Sequence, residues 1–349
     1  MRKAIAGALG ALGAALVMAV PSCEGAAAAE KIVIAHRGAS GYLPEHTLAA
    51  KAAAHAMGAD YLEQDVVLSK DGVPMVLHDI HIDTVTDVAD VFPDRARADG
   101  RFYAIDFTLD ELKTLTVMER ANEHGEQVFP GRFPRGASHF EIPTLAEEIE
   151  LIQGMNLSTG REAGIYPEIK APAWHRAEGQ DISAIVLGVL AEYGYGDPDD
   201  PIYVQCFDWN ETRRIRGELG WHGKLIQLLG ENRWNEAPDV DYDALRTKEG
   251  LAEIAKVADG IGPWMNQIVT GVDASGAAQM TDLVENAHAV GLAVHPYTFR
   301  ADALPDYADS FEALLEIFLV QADVDGVFTD FPDRAVAFLR ASQLDGDDK

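Results

Sequence analysis

Four short polar clusters hold most of the reactive side chains that this sequence sets in order: His36 and Arg37 in IAHRG, Glu63 and Asp65 in YLEQD, His78 and Asp79 in VLHD, and Glu168 and Lys170 in YPEIK. Each cluster ends an apolar run of strand character, so its side chains are delivered to a strand tip. Residues two apart on a strand share a face, which groups Glu63 with Asp65, Glu168 with Lys170, and His36 with Ile34. Carboxylates turned together into an interior repel one another, and an unpaired buried charge is strongly unfavourable. A cation removes that conflict. Oxygen ligands from Glu63, Asp65 and Glu168, with no Cys or His cluster at zinc spacing, point to a hard ion, Ca2+ or Mg2+. The blander alternative pairs the acids with Arg37 and Lys170 and needs no metal. His36 and His78, near the same acids, supply a base and an acid around neutral pH. By contrast His55, His124, His139, His175, His222 and His288 lie in helical or loop sequence without such company and are expected at the surface.

The elements that must position these groups are strands alternating with helices. Strand character occurs at Ile32 to His36, Tyr61 to Val67, Gly164 to Ile169, Ile202 to Phe207, Lys224 to Leu228, Asp259 to Gly262, Leu292 to Tyr297 and Gly326 to Thr329. Eight such strands with helical crossovers predict an α/β fold, a (β/α)8 barrel with chemistry at its strand tips. Val73 to His78 stands apart, because only Ser69-Lys70-Asp71-Gly72 separates it from the preceding strand. That gap is too short for a parallel crossover, and the Asp-Gly pair predicts a hairpin. One-to-one pairing about this turn sets His78 opposite Glu63. Thr108 to Glu111 and Thr144 to Glu147 read as capping boxes, Asp208 with Glu211 as a relative, and Gly58, Gly194 and Gly291 as helix stops. Residues 79–163 form a long insertion with one helix at Leu109 to Leu115, placed to cover the strand tips as a lid or to serve structure alone.

Composition narrows the partners. The chain has 349 residues, 48% of them hydrophobic, and a formal net charge of −29, which suits a large core and argues against nucleic acid. Arg2 and Lys3 before an apolar stretch to Val20 read as an export signal, residues 1–22, with Ala27-Ala28-Ala29 offering an alternative cleavage after Ala29. Residues 23–31 would be a tether and 32–349 the catalytic domain. Val20-Pro21-Ser22-Cys23 is an imperfect lipobox, so the expected location is the periplasm or the cell envelope, with membrane attachment only through lipid on Cys23. Cys206, in the apolar run IYVQCF, is expected to be a buried strand residue without a disulfide partner.

The ordered set His36-Arg37, Glu63-Gln64-Asp65 and His78-Asp79, followed by PEIK, VQCFD, DGIGP, VHPYT and GVFTDFPD, resembles the glycerophosphodiester phosphodiesterase family from Lys31 to Phe338. IAHRGASGYLPEHT and DFTLDEL are most similar to its exported, GlpQ-like bacterial branch. Where many relatives read PENT this chain has Pro44-Glu45-His46-Thr47, and after DGIGP it has Trp264-Met265-Asn266. The resemblance implies a TIM barrel and one divalent cation, calcium in the exported branch, on Glu63, Asp65 and Glu168. It also implies Arg37 and Lys170 on the phosphate, Gln205 helping to position it, and a small-molecule glycerophosphodiester cleaved to sn-glycerol 3-phosphate and an alcohol. A lysolipid- or sphingolipid-cleaving phospholipase D is the neighbouring alternative, decided by the pocket wall, where Trp264, Tyr297 and Phe331 are candidates. A metal-free glycosidase and a non-catalytic envelope binding protein are the rivals from other classes.

Overall fold

The computed structural model describes residues 31–273 and 277–347; the expected leader, Cys23 and nearly all of the tether lie outside the described residues. The strands among those residues are β1 Ile32–Ala35, β2 Tyr61–Leu68, β3 Pro74–Val76, β4 Gly164–Ile169, β5 Tyr203–Cys206, β6 Lys224–Leu229, β7 Gly260–Pro263, β8 Val269–Val272, β9 Ala278–Met280, β10 Ala293–Val294 and β11 Gly326–Thr329. Parallel strands run in the order β10-β7-β6-β5-β4-β2-β1-β11. Pro296 lacks an N–H and cuts β10 short of the expected Tyr297. The chain beyond it still closes the barrel: Phe328 N–H donates to Pro296 O at 3.1 Å and Phe299 N–H to Phe328 O at 2.8 Å. The expected (β/α)8 barrel is therefore the observed fold. A short β8–β9 hairpin is an addition that periodicity did not announce.

β3 pairs antiparallel with β2, as the Asp-Gly turn predicts, but in a different register. Val66 faces Val76 and Leu68 faces Pro74, which sets His78 against Gln64 rather than Glu63. The reason is the loop. Ser69 N–H donates to Val73 O at 3.0 Å, so Lys70-Asp71-Gly72 is a three-residue connection with Gly72 left-handed at φ +78°.

Inside the barrel, period-two alternation stacks two unlike layers. Tyr61, Tyr166 and Tyr203 come from β2, β4 and β5, with ring centroids 4.9 to 6.0 Å apart, and Phe328 packs on Tyr166 at 4.9 Å. Two residues further along the same strands stand Glu63, Glu168 and Gln205, all buried. The acidic layer thus rests on an aromatic floor.

The helices are capped as their sequences require. Thr108 with Glu111 and Thr144 with Glu147 form reciprocal capping boxes, and Asp208 accepts from Asn210 and Glu211 N–H. The helix expected to reach Leu115 stops at Leu112. Within 79–163, helix Leu145–Thr159 puts Leu145, Ile149 and Ile152 into the main core, so it is a barrel crossover and not part of the insertion. The insertion proper has a small core of its own, in which Ile82, Val88, Phe107 and Leu112 pack on Val67 and Met75 of the hairpin.

Gly38 bends the chain away from β1 at φ +84°, and a Cβ there would lie 2.8 Å from the carbonyl carbon of Ala50. Both the backbone angle and the space exclude a side chain. Gly38→Ala should lower unfolding free energy by about 2 kcal/mol, read from a urea midpoint; a loss under about 0.5 kcal/mol would mean the loop relaxes freely.

Candidate active site

Beyond β1 the ladder continues for one residue, with His36 N–H donating to Thr329 O at 3.0 Å. That contact brings His36 beside Asp330 at the tip of β11, where Nδ1 lies 2.6 Å from Asp330 Oδ1. A carboxylate on Nδ1 places the proton there and leaves the Nε2 lone pair facing the cavity. Burial, with Arg37 adding to it, lowers the His36 pKa to about 4, so the ring is neutral at neutral pH. His78 is held in the same manner, with Nδ1 2.7 Å from Asp79 Oδ1. Its pKa is also lowered, by burial and then by Arg37 and Lys170.

Both orienting acids are gripped by arginines from the insertion. Arg120 donates to Asp79 at 2.6 Å and forks onto Glu45. Arg132 donates to Asp330 at 2.7 Å, and Arg300 donates to the same oxygen at 2.8 Å. Glu45, clamped between Arg120 and Arg37, is held well below the usual carboxylate range despite its burial.

Glu63, Asp65 and Glu168 each present an oxygen, and these atoms lie within 4.8 Å of one another. Arg37 N–H donates to Glu63 at 2.7 Å, Lys170 Nζ lies 2.8 Å from Glu168, and Gln205 donates to the other oxygen of Glu63 at 3.3 Å. Burial would raise Asp65, but Lys170, His78 and His46 overcome it and hold this carboxyl down. Burial beside Asp65 pushes Glu63 and Glu168 up. Two cations among three acids do not complete the layer: Asp65 Oδ1 and Gln205 Oε1 are buried without hydrogen-bond partners. Oxygen donors that converge and repel, one of them left without a hydrogen bond, fit a hard divalent cation, which accepts several oxygens at once.

Two cavities meet here. A larger one of about 390 Å³ holds the acidic triad with Gln205, Trp264 and Tyr297 in its wall. A smaller one of about 260 Å³ lies under the insertion, and His36, Arg37, His78 and Arg300 line both. The residues expected in the site are thus brought together, with Lys170 reaching it through Glu168. Phe331 is not on either wall; its ring packs edge-on to Tyr42 at 5.3 Å within the core.

Two of the histidines expected at the surface are buried. His55 is bonded to Asn156 at 2.9 Å, and His175 Nε2 accepts from Leu68 N–H at 3.2 Å. Buried imidazole is tolerated where it is hydrogen-bonded. Cys206 is a buried strand residue, as expected. His46 joins the site without having been singled out: its Nε2 is 2.7 Å from Asp65 Oδ2. His46 and Arg37 both have left-handed backbones, φ +61° and +58°, and His46 N–H donates to Arg37 O at 2.9 Å. Strain of this kind persists only where the surroundings over-determine it.

The model of the glycerophosphoryl diester phosphodiesterase family matches residues 36–334. A glycerophosphodiester phosphodiesterase of Haemophilus influenzae is 45% identical over 328 residues, spanning 89% of this chain and 90% of that protein. One from Treponema pallidum is 40% identical over 329 residues, spanning 89% and 92%. Among solved structures, a phosphodiesterase of Oleispira antarctica in complex with the product sn-glycerol-3-phosphate superposes with a TM-score of 0.59 at 22% identity, covering 88% of this chain and 96% of that one.

The triad generates a test that does not involve turnover. Adding millimolar Ca2+ or Mg2+ to EDTA-treated protein should raise the thermal midpoint, because a ligand of the folded state stabilises it. Asp65→Asn should abolish the increase; an equal rise in that variant would place the ion elsewhere.

Proposed function

The chain belongs to the glycerophosphoryl diester phosphodiesterase family, and we propose that it hydrolyses glycerophosphodiesters to sn-glycerol 3-phosphate and an alcohol. One observation carries this reading: two carboxylate-held imidazoles, Arg37 and three convergent buried acids share a single cavity. A glycosidase would leave both imidazoles and Arg37 without a role.

Glu63, Asp65 and Glu168 would hold one divalent cation, Ca2+ in the first place and Mg2+ in the second, supplying positive charge that acidifies a hydroxyl and polarises a phosphoryl oxygen. The remaining work falls to the chain. Arg37 and Lys170 offset charge on the phosphate, and Gln205 fixes its orientation. Trp264 and Tyr297 wall the larger cavity, where the glycerol arm is placed beside the acids.

In that position the glycerol 2-hydroxyl is adjacent to its own phosphorus, an arrangement with large effective molarity. Its proton passes to His36 Nε2 as its oxygen bonds to phosphorus, and the bond from phosphorus to the departing alcohol breaks. His78 gives that alcohol a proton. Its pKa, lowered by burial and then by Arg37 and Lys170, rises once a phosphate anion offsets those two cations. Water then opens the cyclic phosphate, losing its proton to His78 while His36 returns its own to the 2-oxygen. Both histidines end as they began.

Incubation with glycerophosphocholine and Ca2+ should release glycerol 3-phosphate, EDTA should stop it, and His36→Ala or His78→Ala should reduce kcat by roughly 10²- to 10⁴-fold. A protein that retains ligand but forms no product would instead favour the binding role. A diester methylated at the 2-hydroxyl should not turn over; its efficient cleavage would remove the internal nucleophile from the mechanism.

A further inference from the structure

A phosphodiester has two arms, and this site has two lobes. His36, Arg37, His78 and Arg300 line both cavities, so they mark the plane where phosphorus must lie. The triad belongs to the larger lobe alone, and the arm carrying the attacking hydroxyl has to reach it. The departing alcohol is left with the smaller lobe, under the insertion, on walls that include Glu119, Val128 and Phe129.

The charges of that lobe are nearly all satisfied. Arg120 is bound by Glu45 and Asp79, Arg132 by Asp302 and Asp330, and Arg300 by Asp330. Glu119 is the exception. It is only 4% exposed, lies on the wall of the lobe, and its Oε2 is buried without a hydrogen-bond partner. Burial and the neighbouring Glu45 raise its pKa to about 7 against the pull of Arg132 and Arg120, neither of which pairs with it directly. A neutral alcohol would leave it so, whereas an ammonium group two carbons from the phosphate oxygen would supply the missing charge.

Resting on the phosphodiesterase reading, we infer that the smaller lobe is a leaving-group subsite for cationic amino alcohols and that Glu119 is its specificity residue. Glycerophosphocholine and its neutral isostere, the 3,3-dimethylbutyl diester in which carbon replaces nitrogen, have nearly the same shape and differ in charge. The unaltered enzyme should favour the choline diester in kcat/KM by about tenfold or more, the scale of a buried charge partner. Glu119→Gln should shrink that ratio by about tenfold, whatever happens to the absolute rates. A ratio near one in the unaltered enzyme, which needs no variant to fold, overturns the subsite, as does an unchanged ratio in Glu119→Gln. An enzyme that cleaves neither diester refutes the phosphodiesterase reading and the subsite with it; one that cleaves both without discrimination refutes the subsite alone.

Discussion

Three carboxylates in one buried layer of a barrel are the constraint from which the rest of this site follows. The tyrosines beneath them exclude water, so repulsion among Glu63, Asp65 and Glu168 is little screened. Arg37, Lys170 and His46 crowd around the layer because each lowers that repulsion, and Asp65 gathers contacts from all three. Even so its Oδ1, 4.0 Å from Lys170 Nζ, accepts no hydrogen bond. Site and metal dependence are thus two aspects of one electrostatic problem.

Around this layer the imidazoles are fixed from outside the barrel as much as from within it. Asp330 and Asp79 orient His36 and His78, and each acid is in turn held by an arginine of the insertion. The insertion therefore does more than cover the cavity. Its small core anchors it on the β2–β3 hairpin, so Arg120 and Arg132 approach the strand tips from a packed base.

Much of this was legible in the sequence, and the failures have identifiable causes. Strand tips ending in HR, ExD, HD and PEIK announce themselves because alternation fixes the shared face and the (β/α)8 topology fixes the shared edge. Local rules also located the capping boxes. The hairpin register slipped because a left-handed Gly72 makes a three-residue loop of what reads as four. Asp330 stands at a legible strand tip in GVFTDFPD, but its role does not show there, since its partners His36 and Arg132 are 294 and 198 residues away. His46 was obscured by its loop, where no periodicity says which way a side chain turns. His55 and His175 look like surface residues until Asn156 and the Leu68 amide, remote in sequence, are folded against them.

The Arg132 to Asp330 contact spans two parts of the molecule that would otherwise diversify separately. Loops over a barrel mouth are ordinarily free to drift, because their exchange leaves the scaffold intact. Here a drifting loop would abandon an acid that three cationic or imidazole groups currently share. Homologues that lose the arginine should therefore have lost or replaced the aspartate too, and grafting a foreign loop onto this scaffold would have to carry its own counterpart for position 330.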